Sequence, residues 1–171
     1  AFFNGSSVFL RALGHEHLPC LVDIQRPIGR HFEAWRVATA LTPACHQTAR
    51  RHAFGLYRAA NYDELIDHPV AMGTFTLATF TACGVPHEIA ISGRHDCDLA
   101  RLSADLQRIC EWQIRFFGEP APMPHYVFLV TAVDDAYGGL EHRASTALLC
   151  ARDDLPYSGM RGTPERYRSF L

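Results

Sequence analysis

The chain has 171 residues, enough for one domain or two small ones with a substantial core. Its net charge of −2 offers no attraction to nucleic acid or an anionic membrane, and all 16 basic residues are Arg, which excludes Schiff-base chemistry through lysine. A hydrophobic share of 48% against 20% charged residues fits a folded chain rather than a disordered one, and no apolar run approaches the roughly 20 residues that span a bilayer.

The first half reads as β-rich. Short runs with partial alternation fall at 7–13, 19–25, 34–41, 52–59 and 74–82. The clearest places Trp35, Val37, Thr39 and Leu41 on one face and Arg36 and Ala38 on the other. Asn4-Gly5, Pro27-Ile28-Gly29 and Thr42-Pro43 supply turn chemistry between the runs. Residues 61–70 predict one short helical turn ended before Pro69, followed by a loop to Gly73.

The pattern changes near Gly84-Val85-Pro86, which divides the chain into a β-rich part, 1–85, and a second part, 86–171. A strand over 87–92 leads through Gly93-Arg94-His95-Asp96 into a helix over 99–117. Leu99, Leu102, Leu106, Ile109 and Gln113, joined by Cys110 and Phe117, form its apolar stripe. Asp96 or Asp98 suits the N-cap, and Gly118 sits where a helix-ending glycine belongs. A Pro-rich loop (Pro120, Pro122, Pro124), an apolar strand over 126–133, the Gly138-Gly139 segment, a strand to Cys150 and a tail of turns complete the chain. The fold class is α+β: a β-rich part followed by a strand–helix–strand–strand portion.

Six cysteines, at 20, 45, 83, 97, 110 and 150, form no C-x-x-C pair and predict reduced thiols in a cytoplasmic protein. The opening Ala1-Phe2-Phe3-Asn4-Gly5 lacks the basic region of a signal peptide. The chain begins without Met and stops abruptly at Phe170-Leu171, which suggests a piece of a longer protein.

Gly14-His15-Glu16-His17 places two histidines at i, i+2 and is not H-E-x-x-H, so it reads as a solvated turn. No zinc site can be built by pattern. There is no G-x-S-x-G nucleophile elbow, and nothing local marks a cysteine as activated. Asp134-Asp135 and Asp153-Asp154 read as turn carboxylates.

Tyr137-Gly138-Gly139-Leu140-Glu141-His142-Arg143-Ala144-Ser145-Thr146 stands apart. Two glycines bare the backbone ahead of a strand-like run, and three ionisable side chains follow at once. On spacing alone, two readings stand: a Gly-containing bulge or hairpin corner between two strands with an exposed Glu141, or an edge that holds a peptide and its amino terminus.

That block is one of several that match nearly end to end a known pattern. The others are Phe2-Phe3-Asn4-Gly5-Ser6-Ser7-Val8-Phe9-Leu10, the run from Asn61-Tyr62-Asp63-Glu64 to Met72-Gly73, Gly84-Val85-Pro86-His87, Asp98 with Arg101-Leu102 and Asp105-Leu106, and Phe117-Gly118-Glu119. On these residues the chain resembles the glycyl aminopeptidase family of zinc metallopeptidases, relatives of the thermolysin-like aminopeptidases. The resemblance implies that 1–85 is part of an N-terminal β-sandwich-like domain, a partial β-sandwich, and that 86–171 is the N-terminal, strand–helix–strand portion of a thermolysin-like catalytic domain. The Gly-Gly block looks like the counterpart of the GAMEN segment of related aminopeptidases, on an edge strand that pairs with substrate. Gly138, Gly139 and Leu140 are then expected to supply backbone contacts and Glu141 to hold the substrate's α-ammonium. His142 and Arg143 are expected to brace the strand or neighbouring acids. The family's zinc helix and its ligands are expected beyond Leu171, so zinc belongs to the full-length parent. This chain is expected to hold no catalytic residue and no metal and to be inactive alone, with the peptide amino terminus and the rest of its own chain as partners, while the full-length parent is expected to release small N-terminal residues such as Gly or Ala from peptides. The alternative is a non-catalytic β-rich peptide-binding or scaffold module.

Overall fold

Alternation in the first part of the chain produces two small antiparallel sheets around one core. The computed structural model describes residues 1–44 and 50–171, and the predicted reduced thiol at Cys45 lies outside the described residues. Two compact units divide it, the first being Ala1–Thr74 with His142–Ser145 and the second Phe75–Glu141 with Thr146–Leu171.

In the first unit the strands are β1 (Phe2–Phe3), β2 (Cys20–Ile24), β3 (Arg36–Thr39), β4 (Thr42–Pro43), β5 (Gly55–Ala59) and β6 (Val70–Gly73), with helices α1 (Gly5–Val8) and α2 (Tyr62–Asp67). One sheet has the order β1-β6-β3 and the other β2-β5-β4. Ile24, Val37, Tyr57, Leu65 and Val70 pack a common core drawn from both sheets and α2. Asn61 caps α2 by accepting a hydrogen bond from the Glu64 N–H at 2.8 Å. The residue after Asn4 is glycine for a steric reason: a Cβ on Gly5 would lie 2.7 Å from Ile66 Cα, so α1 and α2 approach too closely for any side chain.

Three expectations change here. The alternation at 7–13 does not make a strand, because Leu10 and Leu13 are 94% and 72% exposed and no buried face rewards pairing. The loop expected before Gly73 is instead β6, the central strand of its sheet. Residues 37–41 are buried without alternation, which hides a two-sided core position from a period-2 reading.

The second unit is a five-stranded sheet of order β10-β11-β9-β8-β7, made by β7 (Phe75–Ala82), β8 (Val85–Ser92), β9 (Tyr126–Val133), β10 (Tyr137–Glu141) and β11 (Ser145–Ala151). The helices are α3 (Leu99–Phe117) and α4 (Glu165–Phe170). Cys83 and Gly84, both at positive φ, form the two-residue turn of the β7–β8 hairpin. The change of character read near Gly84-Val85-Pro86 is therefore a hairpin turn inside one sheet, and the compact units part between Thr74 and Phe75. β8 and β9 run parallel, which demands a crossover, and α3 supplies it. Gly93, at φ 93°, is forced where that crossover begins, since a Cβ would fall 2.1 Å from the Ala132 carbonyl oxygen.

Asp98 caps α3 through its Oδ1, which accepts from the Arg101 N–H at 3.1 Å, and Gly118 ends the helix at φ 105°. Leu102 and Leu106 pack with Ile89, Ile91, Phe128 and Val130 of the sheet. The stripe stops short of Phe117, which is 85% exposed, because the last turn of α3 outruns the sheet face. The expected tail of turns contains α4, whose Tyr167 is fully buried and donates to Asp105 Oδ2 at 2.8 Å. Burial alone would raise the Asp105 carboxyl, yet hydrogen bonds from Tyr167, Arg108 and Arg101 hold it below the usual carboxylate range.

The architecture is α+β, mostly sheet with few helices. Among the described residues, no helix is long and apolar enough to cross a membrane.

Candidate functional site

β10 lies at one end of its sheet and, among the described residues, pairs only with β11, so one side of its backbone carries no strand partner there. Gly138 and Gly139 sit inside this regular ladder, opposite Leu149 and Leu148, rather than at a hairpin corner. The strand turns Tyr137, Gly139 and Glu141 to one face and Gly138 and Leu140 to the other. Tyr137 is 83% exposed and Glu141 is exposed as well.

A cavity of about 590 Å³ borders the strand. Tyr137, Gly138, Gly139 and Glu141 line it from β10, Phe128 and Leu148 from the neighbouring strands, and Leu106 and Phe170 from the helices. Three of the four residues singled out from sequence thus meet at one cavity. Leu140 does not line it; its side chain is 45% exposed, and any part it takes is through its backbone. Glu141 accepts no hydrogen bond and makes no ion pair among the described residues.

The next residues are engaged elsewhere. Within the first unit, Arg143 Nη2 donates to Asp63 Oδ2 at 2.6 Å, the Arg143 backbone N–H donates to Asp67 Oδ2 at 3.1 Å, and His142 Nδ1 lies 3.5 Å from Asp67 Oδ1. Both side chains hold neighbouring acids, as expected.

Cys150 also lines the cavity, but burial, with a smaller contribution from the Asp154 charge, pushes its thiol up to about 11. Burial likewise pushes Cys97 to about 12 and Cys110 to about 11, so none of the three is an ionised nucleophile at neutral pH. Among the described residues, no three His, Cys, Asp or Glu side chains converge in a metal-binding group. His95 serves the fold, its Nδ1 accepting from the Cys97 N–H at 3.2 Å and its Nε2 meeting Thr76 Oγ1 at 3.1 Å.

Sequence reasoning missed the contribution of α4, whose Glu165, Arg166, Ser169 and Phe170 line the same cavity. A signal existed in Pro164 before Glu165 and in the spacing of Tyr167, Phe170 and Leu171, but six residues carry too little periodicity to stand out.

Residues 1–74 match the family described as the Peptidase M61 N-terminal domain. The whole chain is similar to a solved structure, the aminopeptidase N family protein from Idiomarina loihiensis, at 42% identity and a TM-score of 0.93. The match covers 99% of this chain and 28% of that one, so the chain spans little more than a quarter of the relative's length. No curated protein matches it. The two matches support a peptidase-related family for the chain.

Proposed function

We propose that this chain supplies the substrate-holding edge of a zinc-dependent aminopeptidase that releases small N-terminal residues, Gly or Ala, from peptides. The observation that carries the reading is the unpartnered Glu141 carboxylate beside two glycines on an edge strand bordering a 590 Å³ cavity. A peptide laid along β10 extends the sheet by one strand, with Gly138, Gly139 and Leu140 offering backbone groups and no side chain of the glycines in the way. The Glu141 carboxylate accepts a charge-assisted hydrogen bond from the substrate's α-ammonium, which selects free amino termini over internal peptide bonds. The 42% identity to an aminopeptidase N family protein supports the substrate class.

Among the described residues no set of zinc ligands converges. In this reading the metal and the second domain's thermolysin-like remainder belong to other parts of a longer protein, consistent with the 28% span, and the chain's own share of the work is binding. Its partners are the peptide amino terminus and that remainder. The five unpaired thiols among the described residues suit the reducing cytoplasm.

The test is Glu141→Ala in the full-length protein that carries this chain. KM for glycine and alanine amides rises about ten- to a hundredfold, the loss expected when a charged hydrogen bond goes. Unchanged kinetics would remove the amine anchor and leave β10 a structural or scaffold element.

A further inference from the structure

Gly138 and Gly139 adjoin on β10, yet a side chain on each would meet different surroundings. A Cβ on Gly138 would find no atom within 4 Å, whereas one on Gly139 would lie 3.3 Å from Leu148 Cδ2 and 3.7 Å from Glu141 Oε1. Neither residue has a positive φ, so backbone conformation does not require glycine at either place. At 139 the requirement comes from the neighbours.

Residues 139 and 141 face the same way along the strand, and the register sets Leu148 opposite Gly139. Side chains two apart on a strand stand roughly 7 Å from each other, so a carboxylate oxygen only 3.7 Å from the missing Cβ shows Glu141 leaning back toward residue 139. Gly139, Glu141 and Leu148 all line the cavity. No hydrogen bond or ion pair among the described residues fixes that carboxylate. Its position is set by the room left at 139 and by Leu148 on the far side of that room.

We propose that Gly139 is a positioning residue for Glu141, leaving on the cavity face the space into which the carboxylate leans. The inference rests on the reading of Glu141 as the amine anchor. A branched side chain at 139 fills this space from within, and the carboxylate swings away while the acid itself, and the backbone hydrogen bonds of β10, remain.

Steady-state kinetics of the full-length protein on glycine p-nitroanilide, with competitive inhibition by glycine amide, tests this. Gly139→Val raises KM and the glycine amide inhibition constant about ten- to a hundredfold, with kcat changed about twofold or less. Adding Leu148→Ala to Gly139→Val reopens the space and restores most of the loss. Leu148→Phe alone crowds the same space from the opposite strand and raises KM in the same direction, which keeps the test open if the substitution at 139 impairs folding. Wild-type KM in Gly139→Val, beside an impaired Glu141→Gln, overturns the positioning role and leaves the anchor standing. A loss in Gly139→Val that Leu148→Ala fails to restore overturns it too, and assigns Gly139 to backbone contact with substrate alone. Wild-type KM in Glu141→Gln overturns the anchor reading itself.

Discussion

β7 closes one side of the five-stranded sheet with eight residues that all carry side chains, whereas β10 closes the other with five residues, two of them glycine. Phe80 of β7 stacks on His87 with ring centroids 4.8 Å apart and reaches Phe128 at 6.3 Å. Thr79 and Thr81 are exposed on the opposite face of the same strand. On β10, by contrast, a Cβ at 138 would touch nothing, and Glu141 has no protein partner among the described residues. A free strand edge is a pairing template that folded proteins ordinarily blunt. One edge here is committed to internal packing and the other is kept bare. Stability should therefore reside in β7 and ligand contact in β10.

That contrast can be broken by substitution. The largest effect is expected at Phe80→Ala, which removes half-buried aromatic packing and costs about 2–3 kcal/mol in urea unfolding of the chain. The matching change on the other edge, Glu141→Ala, shifts unfolding by no more than about 0.5 kcal/mol, while it weakens binding of amino-terminal substrates in the full-length protein. Equal destabilisation by the two would abolish the distinction.

Acid sharpens the comparison through the guarded side. His87 is 1% exposed, and burial pulls its pKa below 6.5 despite the Val85 carbonyl 2.9 Å from Nδ1. The unfolded chain then takes the proton first, so stability is fully present above pH 6.5 and falls as pH drops from there toward the depressed folded value. The slope contributed in that window approaches about 1.4 kcal/mol per pH unit. Asp105, also depressed, adds its loss only below 3.8. Urea midpoints between pH 7 and 5 should show the first slope in the wild-type chain and lose it in His87→Phe.

The smallest effect is at the bare edge. Gly138→Thr places a β-branched residue at ordinary φ in open space and should stabilise the chain by about 0.5–1 kcal/mol. The same side chain would obstruct an added strand, so peptide affinity should fall while the melting temperature rises. A gain in stability without loss of affinity would mean that the glycine is not kept for a ligand.

Long, strongly periodic elements were legible from sequence: α3 from Leu99 to Phe117 with its Asp98 cap, and β9 from Tyr126 to Val133. Their signals are local, being capping chemistry, a 3.6-residue stripe and an uninterrupted apolar run. The short β6 and α4 were not legible, because Val70 and Tyr167 owe their order to partners distant in sequence. Within the candidate site, the glycines and Glu141 stood out by residue type, while the residues facing them across the cavity did not.

Residue identity and spacing are enough to put Gly138, Gly139 and Glu141 on one extended segment, since both are local. Long-range packing makes this segment an edge strand, distinguishes its two glycines, and brings Leu106 and Phe170 to the same 590 Å³ cavity. Edge position depends on which strands pair, and the room at Gly139 depends on Leu148 arriving opposite it. Both are long-range outcomes that no local pattern encodes.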